Sequence, residues 1–558
     1  MGVVLNGATS GDNLGASIAM DQDVNGDGRS DLLVGAPQVG FGNGQALLVF
    51  GSANVPMGPD GLETAAIVNG SIDPAVAASF SFPRRSSFFG RRVRFLGDLD
   101  GDGIADLGIH ASTIDLQAVE FLGETYILYG GSGVGNLVRD VTRLLPENGG
   151  NGQEGFVFIG EADDDLLGAD FFGGHDINGD GHTDLLISSG KEYEPGRGSG
   201  HIFVIYGQAG RPFAAAIGFE DLLNMPAQRG FLIVPPVPEQ PINVLVSDIA
   251  NSRFINDING DGLDEIVYCR RLSQFPKTLS NGECYIIFGR AGVAPFPSLF
   301  DTGRLLSRNG GDGTEGMVVI GSAPHEGLGS TAVAVDGVGD FDNDGHHDLL
   351  IGADSSGGGP AYLFFGQDEF PAELDLRKLN NTGAQAPRIM RLLPVTEDSS
   401  NTGFGFSVAS FGDINQDGLA DIAIHNVELS QSVSDINGTW VIYGRADPPT
   451  EFNVADLLPI NGGDGSRGFL VRDLPDEESL GRTISAGDFN GDGLIDMAFG
   501  GLAMDPGNRS NAGRVVVLFG RGLALPGPIA VPVVGIWALL LLVLMLLIAS
   551  WRRLSTAA

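Results

Sequence analysis

Positive charge is scarce in this chain. Its 558 residues hold 32 Lys and Arg against 70 Asp and Glu, a formal net charge of −38. That balance argues against a nucleic-acid partner, whose phosphate backbone is held by basic patches, and against docking on anionic lipid. The eight histidines are scattered, and neither H-E-x-x-H nor G-x-S-x-G occurs, so two common catalytic signatures are missing. No Arg-Gly-Asp occurs either. Strong helical periodicity is missing from the first 520 residues, which Gly and Pro punctuate throughout. The opening MGVVLNGATSGD has no basic stretch and no long apolar run, so it does not read as a signal peptide. A start codon placed upstream, or a longer parent chain, is the expectation.

What is abundant is one acidic nonapeptide, D-x-[DN]-x-D-G-x-x-[DE]. It occurs seven times, beginning at Asp23, Asp98, Asp176, Asp257, Asp340, Asp413 and Asp488, at intervals of 73–83 residues. A near-fixed period of this kind signals a repeat architecture. Position 1 is the starting Asp. Position 3 is Asn25, Asp100, Asn178, Asn259, Asp342, Asn415 and Asn490, and position 5 is Asp27, Asp102, Asp180, Asp261, Asp344, Asp417 and Asp492. Position 9 is Asp31, Asp106, Asp184, Glu265, Asp348, Asp421 and Asp496. Carboxylates this close repel unless a cation sits among them.

Position 7 is Arg29, Ile104, His182, Leu263, His346, Leu419 and Leu494. These side chains share no chemistry, so a backbone carbonyl is the expected ligand there. Oxygen-only ligation in a flexible loop suits Ca²⁺ better than Mg²⁺, which keeps several of its waters. Up to seven Ca²⁺ are expected. The loops contain 23 acidic side chains at positions 1, 3, 5 and 9, and seven divalent ions would leave a net charge of about −24 from the formal −38. His182, His346 and His347 read as exposed, non-ligating spacers.

An EF-hand is excluded by position 12, where a bidentate Glu is required. Here it is Val34, Ile109, Ile187, Tyr268, Ile351, Ile424 and Phe499. The loop runs instead into a short apolar strand such as DLLVGAP at Asp31 or DLLIGAD at Asp348. A Gly-led strand precedes it, as in LGASIAM at Leu14. A third strand ends in an aromatic and a Gly, as at Phe50-Gly51 and Tyr206-Gly207, and a fourth follows, as in GFVFIG at Gly155. Four strands in each of seven repeats predict an all-β, seven-bladed β-propeller over residues 1–522. GVVLNG at Gly2 matches a fourth strand, and the last repeat stops after a third, GRVVVLFG at Gly513. The first strand is therefore expected to complete the last blade and remove an open edge.

G-x-G-x-x-G begins at Gly150, Gly311 and Gly463. A dinucleotide site needs a strand before it and a helix after it. Each copy leads into a fourth strand, so it reads as a recurring turn. Cys269 and Cys284 fall in the second and third strands of blade 4, where repeat 1 has Gly35 and Ala46. Adjacent antiparallel strands can place them opposite one another. A disulfide and two free buried thiols both fit.

The Phe-Gly, the acidic loop and the Gly35-Ala36-Pro37 sequence resemble FG-GAP repeats, as in the integrin α-subunit propeller and bacterial surface proteins. The resemblance implies that each Ca²⁺ loop joins the first and second strands of its blade. Repeat 4 departs from the pattern, with no Phe-Gly before Asp257 and with Glu265 at position 9.

After a linker at 523–530, residues 531–550 (VPVVGIWALLLLVLMLLIAS) carry no charge, and Arg552 and Arg553 follow. Twenty residues span roughly 30 Å as a helix, a bilayer core. A transmembrane helix over 531–551 is expected, with a cytoplasmic tail at 552–558 and the propeller outside. The V-P-x-x-x-x-W start resembles bacterial C-terminal sorting tails of the IPTL-CTERM kind, with Val533 and Ile536 departing from that pattern.

The reading is a calcium-binding propeller at a bacterial cell surface, acting in adhesion or in binding an extracellular protein or glycan. The alternative is a surface enzyme on the same scaffold, such as a polysaccharide lyase or an integrin-like hydrolase. Loops between second and third strands and between blades vary most, so ligand contacts are expected on the face opposite the acidic loops. Arg84 and Arg85 lie in one such connection. An anionic partner and pairing with rim carboxylates both fit them.

Overall fold

The computed structural model describes residues 2–521 except 53–61, 69–70, 83–86, 113, 116–119, 132–139, 161–165, 190–199, 212, 237–248, 271–281, 293–294, 323–326, 330, 332–333, 354–358, 382–387, 396–402, 427–437 and 473–479. Arg84, Arg85, most of the loops between second and third strands, and the 531–551 segment lie outside the described residues. No helix among the described residues is long and apolar enough to cross a membrane.

Among the described residues, seven blades each have a four-stranded antiparallel sheet, and Ile114–Asp115 pairs with Glu120–Phe121 in a separate two-stranded sheet. Blade 1 consists of Ser17–Ala19, Leu32–Ala36, Gln45–Val49 and Ala77–Ser81. Blades 2 to 6 repeat this order, with second strands at Asp106–Ala111, Asp184–Ser189, Glu265–Arg270, Asp348–Gly352 and Asp421–Asn426. These central strands are buried along their whole length, which is why they read as continuous apolar runs. Each first strand opens one blade and each acidic loop joins it to the second strand, as in Arg92–Gly97 leading to Asp106–Ala111.

The seventh blade is closed by the N-terminus. Gly2–Asn6 pairs antiparallel with Arg514–Leu518, from Gly2 opposite Leu518 to Asn6 opposite Arg514. The seven-bladed architecture predicted from the repeats is the one observed. Blade 4, despite its missing Phe-Gly, has a first strand at Ile249–Ile255, whose register with Glu265–Arg270 shifts between Ile249 and Asn251.

One layer was not foreseen. In five blades a short strand from a later connection adds in parallel to the fourth strand, as Ala216–Gly218 does on Gly155–Ile159 and Leu299–Asp301 on Gly230–Val234. These short strands cover edges that would otherwise be free to pair with another chain. After them the backbone winds into a short helical turn. In blades 2, 4 and 6 that turn is capped by Asp140, Asp301 and Asn453, whose side chains accept the N–H two residues on. The three G-x-G-x-x-G segments follow these turns. A Cβ on Gly150 would lie 1.8 Å from the Leu144 carbonyl oxygen, and Gly155, Gly316 and Gly468 each start a fourth strand. The motif is a turn, as its context in the sequence implies.

Hydrophobic packing lies between neighbouring blades. One cluster joins Leu48 and Phe80 of blade 1 to Val93, Leu107 and Tyr126 of blade 2, and another joins Val267 and Ile286 of blade 4 to Leu349 and Phe364 of blade 5. The glycine that leads into a first strand marks the closest approach between blades. At Gly168 a Cβ would sit 1.7 Å from Thr125 Oγ1 of the preceding blade, and at Gly329 it would sit 2.3 Å from Cys269 Sγ. Cys269 stands directly opposite Cys284, and the two form a disulfide.

Candidate metal centres

The acidic loops fold the same way seven times, because their own side chains tie down their own backbone. The position 1 carboxylate accepts the N–H groups of positions 5 and 6 in every copy. For Asp176 these are Asp180 at 3.2 Å and Gly181 at 2.7 Å, and for Asp413 they are Asp417 at 3.0 Å and Gly418 at 2.8 Å. Asp23, Asp98, Asp257, Asp340 and Asp488 do likewise. The position 5 carboxylate accepts the N–H of position 7, from Asp27 to Arg29 through Asp492 to Leu494. The Asn or Asp at position 3 accepts the N–H of position 5 in blades 1, 2, 3, 4, 6 and 7. Position 6 adopts a φ of +79 to +96°, open to Gly without strain.

Position 9 anchors each loop to the blade. All seven side chains are fully buried. In six loops one oxygen accepts the N–H of position 2 and the other accepts the N–H of the Gly that follows the third strand's aromatic. Asp31 takes Val24 at 3.0 Å and Gly51 at 2.9 Å, and Asp184 takes Ile177 at 3.0 Å and Gly207 at 2.9 Å. Asp106, Asp348, Asp421 and Asp496 repeat the arrangement. The same geometry explains why a glycine follows the aromatic: a Cβ on Gly51, Gly207 or Gly366 would sit 2.4, 2.1 or 2.3 Å from the carbonyl oxygen of position 8, Ser30, Thr183 or His347. Position 2 (Val24, Leu99, Ile177, Ile258, Phe341, Ile414 and Phe489) is buried and pins the loop to the core.

In blade 4, Glu265 Oε2 accepts the Ile258 N–H at 2.9 Å, but Oε1 is buried with no hydrogen-bond partner. Burial pushes the position 9 carboxyls up, Asp31 and Asp421 to about 7, Asp106 and Asp348 to about 8. A carboxylate held ionised in such a place needs positive charge nearby.

Carboxylates converge in three copies. Oxygens of Asp98, Asp100 and Asp106, of Asp257, Asp261 and Glu265, and of Asp340, Asp342 and Asp344 lie within 4.8 Å of one another. Glu265, with its orphaned Oε1, is one of the residues of the second group. The donor sets are all oxygen, and with the position 7 carbonyl they fit a hard divalent cation.

The loops also touch one another around the ring. A Cβ on Gly26 would lie 3.3 Å from Ile104 Cδ1, one on Gly179 2.8 Å from Leu263 Cδ2, and one on Gly260 3.0 Å from His346 Nε2. Position 7 of one blade therefore packs over position 4 of the blade before it. The backbone follows suit, with Ser30 N–H donating to the Asp488 carbonyl at 3.0 Å and Ala420 N–H to Asp340 at 3.0 Å. His182, His346 and His347 are accordingly half-buried rather than exposed spacers, and His346 Nε2 also lies 2.9 Å from Asp368.

Two partners of the loops carried no signal in the repeat pattern. Arg211 Nε lies 2.7 Å from Asp100 Oδ2, and Arg388 Nη1 lies 2.7 Å from Asp342 Oδ2.

Comparison with known proteins falls on the same geometry. The family model of the FG-GAP repeat matches residues 14–49, which hold the Leu14-Gly15 lead, the Asp23–Asp31 loop and the first three strands of blade 1. Integrin alpha-3 of Mus musculus is 37% identical over 120 residues, and integrin alpha-3 of Cricetulus griseus is 36% identical over 120 residues. Each match covers 22% of this chain and 10% of the relative, so the chain spans about a tenth of the length of the curated relatives it matches.

Proposed function

We propose that this chain is a calcium-binding propeller that works as an adhesion or ligand-binding module outside the cytoplasm. The observation that carries the reading is the uniform wrap of seven oxygen-lined loops, each with a fully buried carboxylate at position 9. Ca²⁺ is the cation that such flexible, all-oxygen loops suit. It would be held by the side chains at positions 1, 3, 5 and 9 and the carbonyl at position 7. It would supply the positive charge that keeps the buried carboxylates ionised. The similarity to an integrin α-subunit and to the FG-GAP repeat supports a binding role over an enzymatic one. The Cys269–Cys284 bridge supports an oxidising compartment. Anchoring through residues 531–551 at a bacterial cell surface, with an extracellular protein or glycan as ligand, completes the proposal.

The test is twofold. Calcium should raise the melting temperature and a chelator should lower it, because a ligand of the native state stabilises by mass action. An array of glycans and extracellular proteins, probed with and without Ca²⁺, should give a calcium-dependent binder. Identical melting in calcium and chelator would remove calcium from the reading.

A further inference from the structure

The seven loops fall into two charge classes. Five have Asn at position 3 and so hold three carboxylates, whereas blades 2 and 5 have Asp100 and Asp342 there and hold four. Those extra carboxylates are buried, with side chains 2% and 0% exposed. An arginine meets each. Arg211 reaches Asp100 at 2.7 Å and Asp102 at 3.6 Å. Arg388 reaches Asp342 at 2.7 Å and Asp344 at 3.9 Å, although neither Asp342 oxygen has a partner in hydrogen-bonding alignment. Each guanidinium also lies 4.9 Å from the ring that ends the third strand of that blade, Tyr129 or Phe365.

The two arginines are not repeats of one another. Arg211 follows the third strand of blade 3, and Arg388 immediately precedes the fourth strand of blade 5. Two unrelated segments deliver the same contact to the two loops that hold an extra carboxylate. Blades 3 and 6 provide the internal comparison. Arg229 and Arg467 also stand immediately before fourth strands, but their loops have Asn178 and Asn415 at position 3. Arg229 bonds Gln208 and lies over Phe213, and Arg467 pairs with Asp456 and lies over Phe452. Arg29 touches a loop carboxylate too, but it is the exposed Asp27 at position 5, at 3.6 Å.

We propose that Arg211 and Arg388 are resident counter-charges that match the blade 2 and blade 5 loops to the other five and set their affinity for a divalent cation. This rests on the reading of the loops as cation sites. Four carboxylates with one arginine carry the same net charge as three carboxylates alone. A guanidinium beside a divalent ion disfavours binding on the order of tenfold in a water-like dielectric. Removing it also leaves a buried carboxylate without its partner, which destabilises the cation-free protein.

The test is a mutant cycle in the full chain. R211Q/R388Q, D100N/D342N and the fourfold variant are titrated with calcium against a competing chelator, which ranks the sites by affinity. Each is also melted in chelator. R211Q/R388Q should tighten two of the sites on the order of tenfold and lower the melting temperature in chelator. D100N/D342N should weaken those sites. The fourfold variant, with loops like the other five, should return both readouts towards the parent. Unchanged or weaker calcium binding in R211Q/R388Q overturns the proposal, as does a fourfold variant that melts in chelator no higher than R211Q/R388Q. If the parent chain takes up no calcium, the cation reading itself falls. If it does so normally and only the arginine variants fail to shift, the role of the arginines alone falls.

Discussion

Gly329 lies so close to Cys269 that a Cβ on the glycine would sit 2.3 Å from the cysteine sulfur and 2.9 Å from that of Cys284. The disulfide of blade 4 thus forms part of the seam with blade 5. Gly329→Ala should push the two blades apart and lower the melting temperature by several degrees, a cavity-free overpacking effect of about 1–3 kcal/mol. The bridge closes a separation of 15 residues, and cross-links of that length contribute about 3 kcal/mol. C269S/C284S should therefore melt lower than the parent. Thiol titration of the unfolded, unreduced parent should find no free thiol.

His110 and His425 occupy the equivalent place in blades 2 and 6, each 3.2 Å from a threonine hydroxyl, Thr125 or Thr439. Burial pulls both down to about 3, with Arg91 and Arg92 adding to the effect at His110. An unfolded histidine titrates near 6.5. Their contribution to stability is present above about pH 6.5 and is lost as the pH falls towards 3. The raised position 9 carboxyls tilt the pH dependence the other way, so the test is the difference: between pH 7 and 4 the unfolding free energy of the parent should fall relative to that of H110Q/H425Q.

Asp184 holds two buried N–H groups, of Ile177 and Gly207. Asp184→Ala leaves both without an acceptor, at about 1–3 kcal/mol each. Denaturant unfolding in chelator should show this loss, and Asp184→Asn should recover part of it. Asp180→Ala, at an exposed position of the same loop, should cost less in chelator. Both variants should lose calcium-dependent stabilisation of blade 3.

Deleting residues 1–6 should open the edge of Arg514–Leu518 along its full register with Gly2–Asn6. The expected outcome is a lower melting temperature and concentration-dependent association by light scattering, since an unpaired apolar edge templates other strands. A monomer of unchanged stability would mean that the pairing contributes nothing.

The features legible in the sequence were those written within one repeat. The seven loops, the strands around them, the Cys269–Cys284 register and the closing strand follow from period and alternation. What escaped was written across repeats. The partner of Asp100 is Arg211 of the next blade, 111 residues away. The signature glycines at 168, 329 and 481 were visible, but the groups that exclude their side chains belong to the preceding blade. The parallel edge strands, such as Leu299–Asp301, are two or three residues long, too short for a periodic signal. Position 7 showed no shared chemistry because its task, covering the neighbouring loop, is met by Ile104, Leu263 and His346 alike.

The pairing of Val4 with Val516 has a consequence in time. A ribosome makes the first of these residues more than 500 positions before the second, and blades 1 to 6 can dock in the order in which they emerge. The last blade cannot be completed in that order. Its outer strand must wait through the synthesis of all the others, and closing so long a loop is the slowest kind of contact to form. Until then the nascent chain exposes two complementary edges, one at each end. Whatever holds the nascent chain has to keep those edges apart from other chains until the ring can shut.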